Sequence, residues 1–124
     1  MKKSVLVVED NPANMDLVVF LLEDRGWEVL KAFDDHAARE ILEKRIPDII
    51  LLDIQLPACD GCELVQEFRK NSSLATLPIV ALTAHAMRGD KERFLACGFT
   101  GYLSKPIQVA TFVKEVEAFL KNRS

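Results

Sequence analysis

The chain has 124 residues, 49% of them hydrophobic and 28% charged, which suits one domain with a real core. Its net charge of −3, from 16 lysines and arginines against 19 aspartates and glutamates, argues against the basic face of a nucleic-acid binder. No run of 18 apolar residues is present to span a membrane, and "MKKSVLVVEDN" is too short for a secretion signal, because Glu9 and Asp10 end its apolar run.

"SVLVVE" (4–9) is a short apolar run typical of a strand buried on both faces. Asn11 can cap the next helix and Pro12 suits its first position, so a helix is predicted from Pro12 to about Arg25, stopped by Gly26. "WEVLKA" (27–32) reads as a second strand. Asp34 or Asp35 can cap a helix to about Arg45, with Ala37, Ala38, Ile41 and Leu42 facing inward. "DIILLD" (48–53) is a third strand, and Gly61, Leu64, Val65 and Phe68 then follow helical spacing, with Asp60 as a cap. "LPIVALT" (77–83) is a fourth strand. A helix from about Ala86 to Cys97 ends at Gly98, and "GYLS" (101–104) is a fifth strand. Val109, Phe112, Val113, Val116 and Leu120 mark the last helix.

Strands and helices that alternate in this way imply a doubly wound α/β fold with a parallel five-stranded sheet covered on both faces. Ligands of such sheets bind beyond the carboxyl ends of the strands. Glu9 and Asp10 end the first strand, Asp53 the third and Thr83 the fourth, and Lys105 follows the fifth. Three carboxylates in one crevice repel one another, which a divalent cation such as Mg²⁺ relieves; the carbonyl after Asp53, that of Gln55, can complete its shell. An aspartate can attack phosphorus, while Lys105 and a metal spread the developing charge and Thr83 donates its hydroxyl.

On these residues the chain resembles the receiver domain of two-component response regulators. "VVEDN" matches the family's acidic pair, "DIILLDIQLPACDG" its phosphoacceptor strand and loop, "IVALTA" its Thr-Ala, and "GYLSKPI" its aromatic residue and Lys-Pro. Thr83 and Lys105 lie 30 and 52 positions after Asp53, as in the family, and the likeness runs the whole length of the chain. Where the loop often reads Pro-x-Met-Asp-Gly, Cys59 replaces the methionine. The resemblance implies a flavodoxin-like sheet of order 2-1-3-4-5 and Mg²⁺ at Glu9, Asp10, Asp53 and the Gln55 carbonyl. It also implies phosphorylation of Asp53 by a histidine kinase or histidine phosphotransfer protein, with Thr83 and Lys105 assisting. Thr83 and Tyr102 are the expected switch residues, with Tyr102 outward in the free protein, and Lys105–Pro106 is expected to be cis.

The function expected is a cytoplasmic phosphorelay switch that catalyses its own phosphorylation and dephosphorylation and signals to a downstream protein target. It is a poor fit to the label of enzyme, and neither nucleic acid nor membrane insertion is expected. Residues 1–124 are expected to be one receiver without an output domain, either stand-alone or the receiver of a hybrid histidine kinase. "LVVFLL" (17–22) cannot turn every side chain to the sheet, so Phe20 is expected to be exposed and to dock a kinase, bordered by Asn14, Met15 and Pro106.

Three alternatives remain. An aspartate-nucleophile phosphatase would want a second aspartate where "IQL" follows Asp53, and a flavin or nucleotide carrier would want a phosphate loop where "EDNPAN" is acidic. A redox or zinc module would use Cys59 and Cys62, a C-x-x-C opening a helix. The odd number of cysteines, a core that needs no staple, and the distant placement of Cys97 speak instead for free thiols in a reducing compartment. His36 and His85 are expected at the surface.

Overall fold

The computed structural model describes residues 2–56, 59–84 and 89–121. Five strands, β1 (Ser4–Val8), β2 (Glu28–Ala32), β3 (Ile49–Asp53), β4 (Ile79–Thr83) and β5 (Gly101–Ser104), form one parallel sheet in the order β2-β1-β3-β4-β5. Five helices alternate with them: α1 (Pro12–Asp24), α2 (Asp35–Lys44), α3 (Gly61–Lys70), α4 (Asp90–Cys97) and α5 (Phe112–Lys121).

The three inner strands are buried along their whole length, which is why they read as unbroken apolar runs. Their side chains alternate between two cores. Leu6, Val8, Ile50, Leu52, Ile79 and Ala81 point toward a layer that includes Ala38, Leu64, Phe68 and Phe94 from α2, α3 and α4. Val5, Val7, Ile49, Leu51, Val80 and Leu82 point the other way, to Val18, Leu22, Phe112 and Val116 from α1 and α5.

The helix ends obey local chemistry. Asn14 N–H donates to Asn11 Oδ1 (3.1 Å), Ala37 N–H to Asp34 Oδ1 (2.8 Å) and Cys62 N–H to Asp60 Oδ1 (2.8 Å), so Asn11, Asp34 and Asp60 each cap a helix as expected. Gly26 stops α1 with φ of 84°, in the left-handed region that costs other residues energy. Arg69 of α3 closes the far side of the sheet: its guanidinium donates to the carbonyls of Leu74 (2.8 Å), Leu77 (2.6 Å) and Gly98 (2.9 Å).

Two expectations change, at Val109 and at the cysteines, and one falls outside the described residues. Val109 is 60% exposed in a turn before α5 rather than on its inner face; the helix begins at Phe112, whose N–H donates to the Gln108 carbonyl at 2.8 Å. Among the described residues α4 begins at Asp90, and its expected start at about Ala86 lies outside them, as does His85. Cys62 and Cys97 are not free thiols: they form a disulfide with Cα atoms 5.3 Å apart. The helices carrying them are neighbours in space although 35 residues separate the two cysteines.

Past β3 the chain turns through a two-residue antiparallel ribbon, in which Gln55–Leu56 pairs with Cys59–Asp60, before entering α3 at Gly61. A Cβ on Gly61 would lie 2.6 Å from the Ile54 Cα, a backbone atom that cannot step aside. Gly61→Ala is therefore expected to destabilise the protein by roughly 1–3 kcal/mol. Gly101→Ala, which meets only the half-buried and movable Phe119 ring, should cost less. Denaturant unfolding of both variants checks the order.

Candidate functional site

Sheet pairing continues one residue beyond the strands and fixes the edge where the polar residues lie. Glu9 N–H donates to the Ala32 carbonyl (3.0 Å), Ile54 N–H to Leu82 (3.2 Å) and Lys105 N–H to Thr83 (2.7 Å). Glu9, Asp53 and Thr83 are consequently held in the buried rim of the sheet, at 1%, 3% and 0% exposure, while Asp10 faces solvent.

Lys105 ties this rim together. Its Nζ donates to Glu9 Oε2 at 2.8 Å and to Asp53 Oδ2 at 2.9 Å. The second oxygen of each acid is also engaged. Asp53 Oδ1 accepts from Gln55 N–H (2.9 Å), and Glu9 Oε1 accepts from Asn11 N–H (3.2 Å) and from Asn14 Nδ2 (3.5 Å). Both asparagines stand at the start of α1, whose unpaired N–H groups favour negative charge nearby. Asn11 and Asn14 as direct partners of Glu9 were missed in the sequence, although the N-cap at Asn11 already places these groups two to five residues from Glu9.

Burial pushes the Glu9 carboxyl above the usual carboxylate range; the hydrogen bond from Lys105 pulls it back only in part, and the Asp53 charge adds to the rise. Burial alone would lower the Lys105 ammonium, but its bonds to Glu9 and Asp53 outweigh this and raise it. Glu9, Asp10 and Asp53 each offer one oxygen within 4.8 Å of the others. Lys105 contributes one positive charge against these three acids, so the donor set fits a hard divalent cation that takes oxygen ligands.

The remaining residues divide. Phe20 is exposed at 67% and Pro106 is exposed, and the Lys105–Pro106 bond is cis, all as expected. Met15 does not border a docking surface: it is 1% exposed, because with Val18 and Leu22 it forms the inward stripe of α1. Asn14 is half-buried beside Glu9. Tyr102 is half-buried, its ring 5.7 Å from that of Phe94 on α4.

A parallel sheet of this order with such an acidic rim and bridging lysine defines a receiver. A family model for the response regulator receiver domain matches residues 5–117, and the chain belongs to that family. It is a phosphorylation-dependent signalling switch of two-component systems. It is 39% identical to the polar-differentiation response regulator DivK of Brucella anthropi over 120 residues, covering 97% of this chain and 98% of that one. Its structure matches the chemotaxis response regulator CheY4 of Vibrio cholerae with a TM-score of 0.90 at 31% identity, covering 96% and 99% of the two chains. It also matches the receiver domain of the sensor histidine kinase PA1611 of Pseudomonas aeruginosa, a structure with a magnesium ion coordinated in its active-site cleft. There the TM-score is 0.87 at 33% identity over 98% and 100% of the chains. Among the described residues no helix is long and apolar enough to cross a membrane.

Lys105→Met would leave the Glu9 and Asp53 carboxylates facing each other with their cation removed. A loss of about 2 kcal/mol is expected for a metal-free sample. Millimolar Mg²⁺ should raise the melting temperature of the variant more than that of wild type, as thermal melts with and without the ion would show.

Proposed function

We propose that Asp53 is the phosphoacceptor of this receiver, taking its phosphoryl group from the phosphohistidine of a sensor kinase or phosphotransfer protein. The observation that supports this most directly is the Lys105 ammonium held 2.9 Å from Asp53 Oδ2. Lysine is the charge that a transferring phosphoryl group needs beside its acceptor.

In the step proposed, an Asp53 carboxylate oxygen attacks phosphorus. The O–P bond forms as the N–P bond of the donor breaks, and the imidazole leaves with the bonding pair and takes up a proton. Gln55 N–H keeps the Asp53 carboxylate oriented, and Lys105 turns from Asp53 to a phosphoryl oxygen. When bound, Mg²⁺ held by Glu9, Asp10, Asp53 and the Gln55 carbonyl would neutralise phosphoryl charge. Hydrolysis reverses the modification: water attacks phosphorus, and Asp53 is restored as a carboxylate with release of inorganic phosphate. The chain thus promotes its own phosphorylation and dephosphorylation without making a product for others.

Phosphorylation adds about 1.5 to 2 negative charges and three acceptor oxygens at Asp53. Thr83, at the end of the adjacent strand, is the residue proposed to answer it by donating its hydroxyl to a phosphoryl oxygen. Tyr102, on β5 with its ring against Phe94 of α4, is proposed to move with it and to change the face formed by α4, β5 and α5. Phe20, with Pro106, is proposed to receive the kinase. Residues 1–124 would act as one receiver unit in the cytoplasm, passing the signal by protein contact. The structure lends the Cys59–Cys62 pair no support as a rival function: the partner of Cys62 there is Cys97.

With acetyl phosphate and Mg²⁺, intact-mass measurement should show one phosphoryl group on wild type and none on Asp53→Asn. Chelation of the metal should abolish uptake by wild type. Thr83→Ala should still be phosphorylated yet lose the phosphorylation-dependent gain in partner affinity. Phe20→Asp should slow transfer from the cognate kinase at least tenfold and leave transfer from acetyl phosphate unchanged; equal loss with both donors would place Phe20 in the fold rather than in docking.

A further inference from the structure

The described part of α4 is the least embedded helix of the protein. It has eight residues, only Phe94 among them is buried, and no side chain caps its start at Gly89. Few buried apolar contacts mean a low free energy of local opening. Its carboxyl end, by contrast, is held twice: Arg69 Nε donates to the Gly98 carbonyl at 2.9 Å, and Cys97 is bonded to Cys62 in the first turn of α3. The bond closes a loop that contains β4 and Thr83, and it starts nine positions after Asp53. Both cysteines are half-buried, within reach of small reagents. Both cysteines pack against the edge of the apolar layer that α2, α3 and α4 form on one face of the sheet.

We propose that Cys62 and Cys97 are a reversible oxidation site, a redox tether that pins α4 to α3 when closed and frees it when open. The co-reactant is a low-molecular-weight disulfide of the glutathione class. The Cys62 thiolate attacks one sulfur of that disulfide, forming a mixed disulfide and expelling one small thiolate. The Cys97 thiolate then attacks the Cys62 sulfur and expels the second. The two protein thiols lose two electrons in all, the small disulfide gains them, and the two protons end on the released thiols. A helix so attached cannot shift far at its carboxyl end, so closure narrows the movement open to α4 and to Tyr102, whose ring lies on Phe94. The consequence for signalling rests on the phosphorylation reading above; the tether itself does not.

The full chain is equilibrated in buffers of graded reduced and oxidised glutathione, then alkylated and mapped by peptide mass. A Cys62–Cys97 cross-link should accumulate as the buffer becomes oxidising, disappear in excess reduced glutathione, and persist in Cys59→Ser. Amide exchange over residues 90–97 should be at least tenfold slower in the oxidised protein than in the reduced one. In Cys97→Ser and Cys62→Ser the same two buffers should give equal rates. The melting temperature of wild type should rise by roughly 5–15 °C on oxidation. A Cys59–Cys62 bond in place of the cross-link, no bond at any ratio, or equal exchange rates in the two states would overturn the proposal. Uptake of phosphate from acetyl phosphate is read in parallel on both redox forms. Its absence in both removes the phosphoacceptor reading and leaves the tether standing.

Discussion

One ammonium group bridging two buried carboxylates organises the carboxyl edge of this protein. Glu9 and Asp53 come from neighbouring central strands, and both are taken almost wholly out of water. Burying either charge alone costs far more than a typical hydrogen bond returns. Lys105 offsets that cost only because β5 delivers it to the right place, through the bond of its own N–H to the Thr83 carbonyl. The edge is thus under tension of a useful kind: three acids gathered around too little positive charge. A site so arranged holds an open demand for cations, and a transferring phosphoryl group with its counter-ion answers it.

Most of this could be read from the sequence because the physics is local or strictly periodic. A strand covered on both faces must be apolar throughout, so Val5–Val8 and Ile49–Leu52 announced themselves, and the first charged residue after each run marked the edge of the sheet. Caps at Asn11, Asp34 and Asp60 need only the next three residues. The misreadings come from side chains whose neighbours lie far along the chain. Val109 keeps helical spacing with Phe112, Val113 and Val116, yet the spacing says nothing of where hydrogen bonding starts, and the turn at Gln108 decides it. Met15 stands in an i, i+3, i+7 stripe with Val18 and Leu22, a signal strong enough to have placed it in the core. The Cys62–Cys97 bond had no local signal, since it depends on α3 and α4 lying side by side.

The two edges of the sheet are built differently. At the carboxyl edge, ionised groups face each other across a gap. At the opposite edge, Arg69 satisfies three carbonyls from two stretches of chain, and burial lowers the proton affinity of its guanidinium. One edge is closed by hydrogen bonds that leave little to change, while the other keeps groups able to exchange partners.

The inner strands carry a less visible consequence. Because β1, β3 and β4 are apolar on both faces, sliding one past its neighbour by a single residue would still bury oil against oil, and hydrophobicity alone hardly sets their register. Polar pins at the ends must do it. At the start of β3, Asp48 accepts from both the N–H (2.8 Å) and the hydroxyl (3.3 Å) of Ser4 and donates its own N–H to the Ser4 carbonyl (2.9 Å). At the finish, Asp53 meets Lys105. The same residue pattern that makes the edge reactive therefore also tells the strands where to stop, so a chain out of alignment would be unable to assemble the site at all.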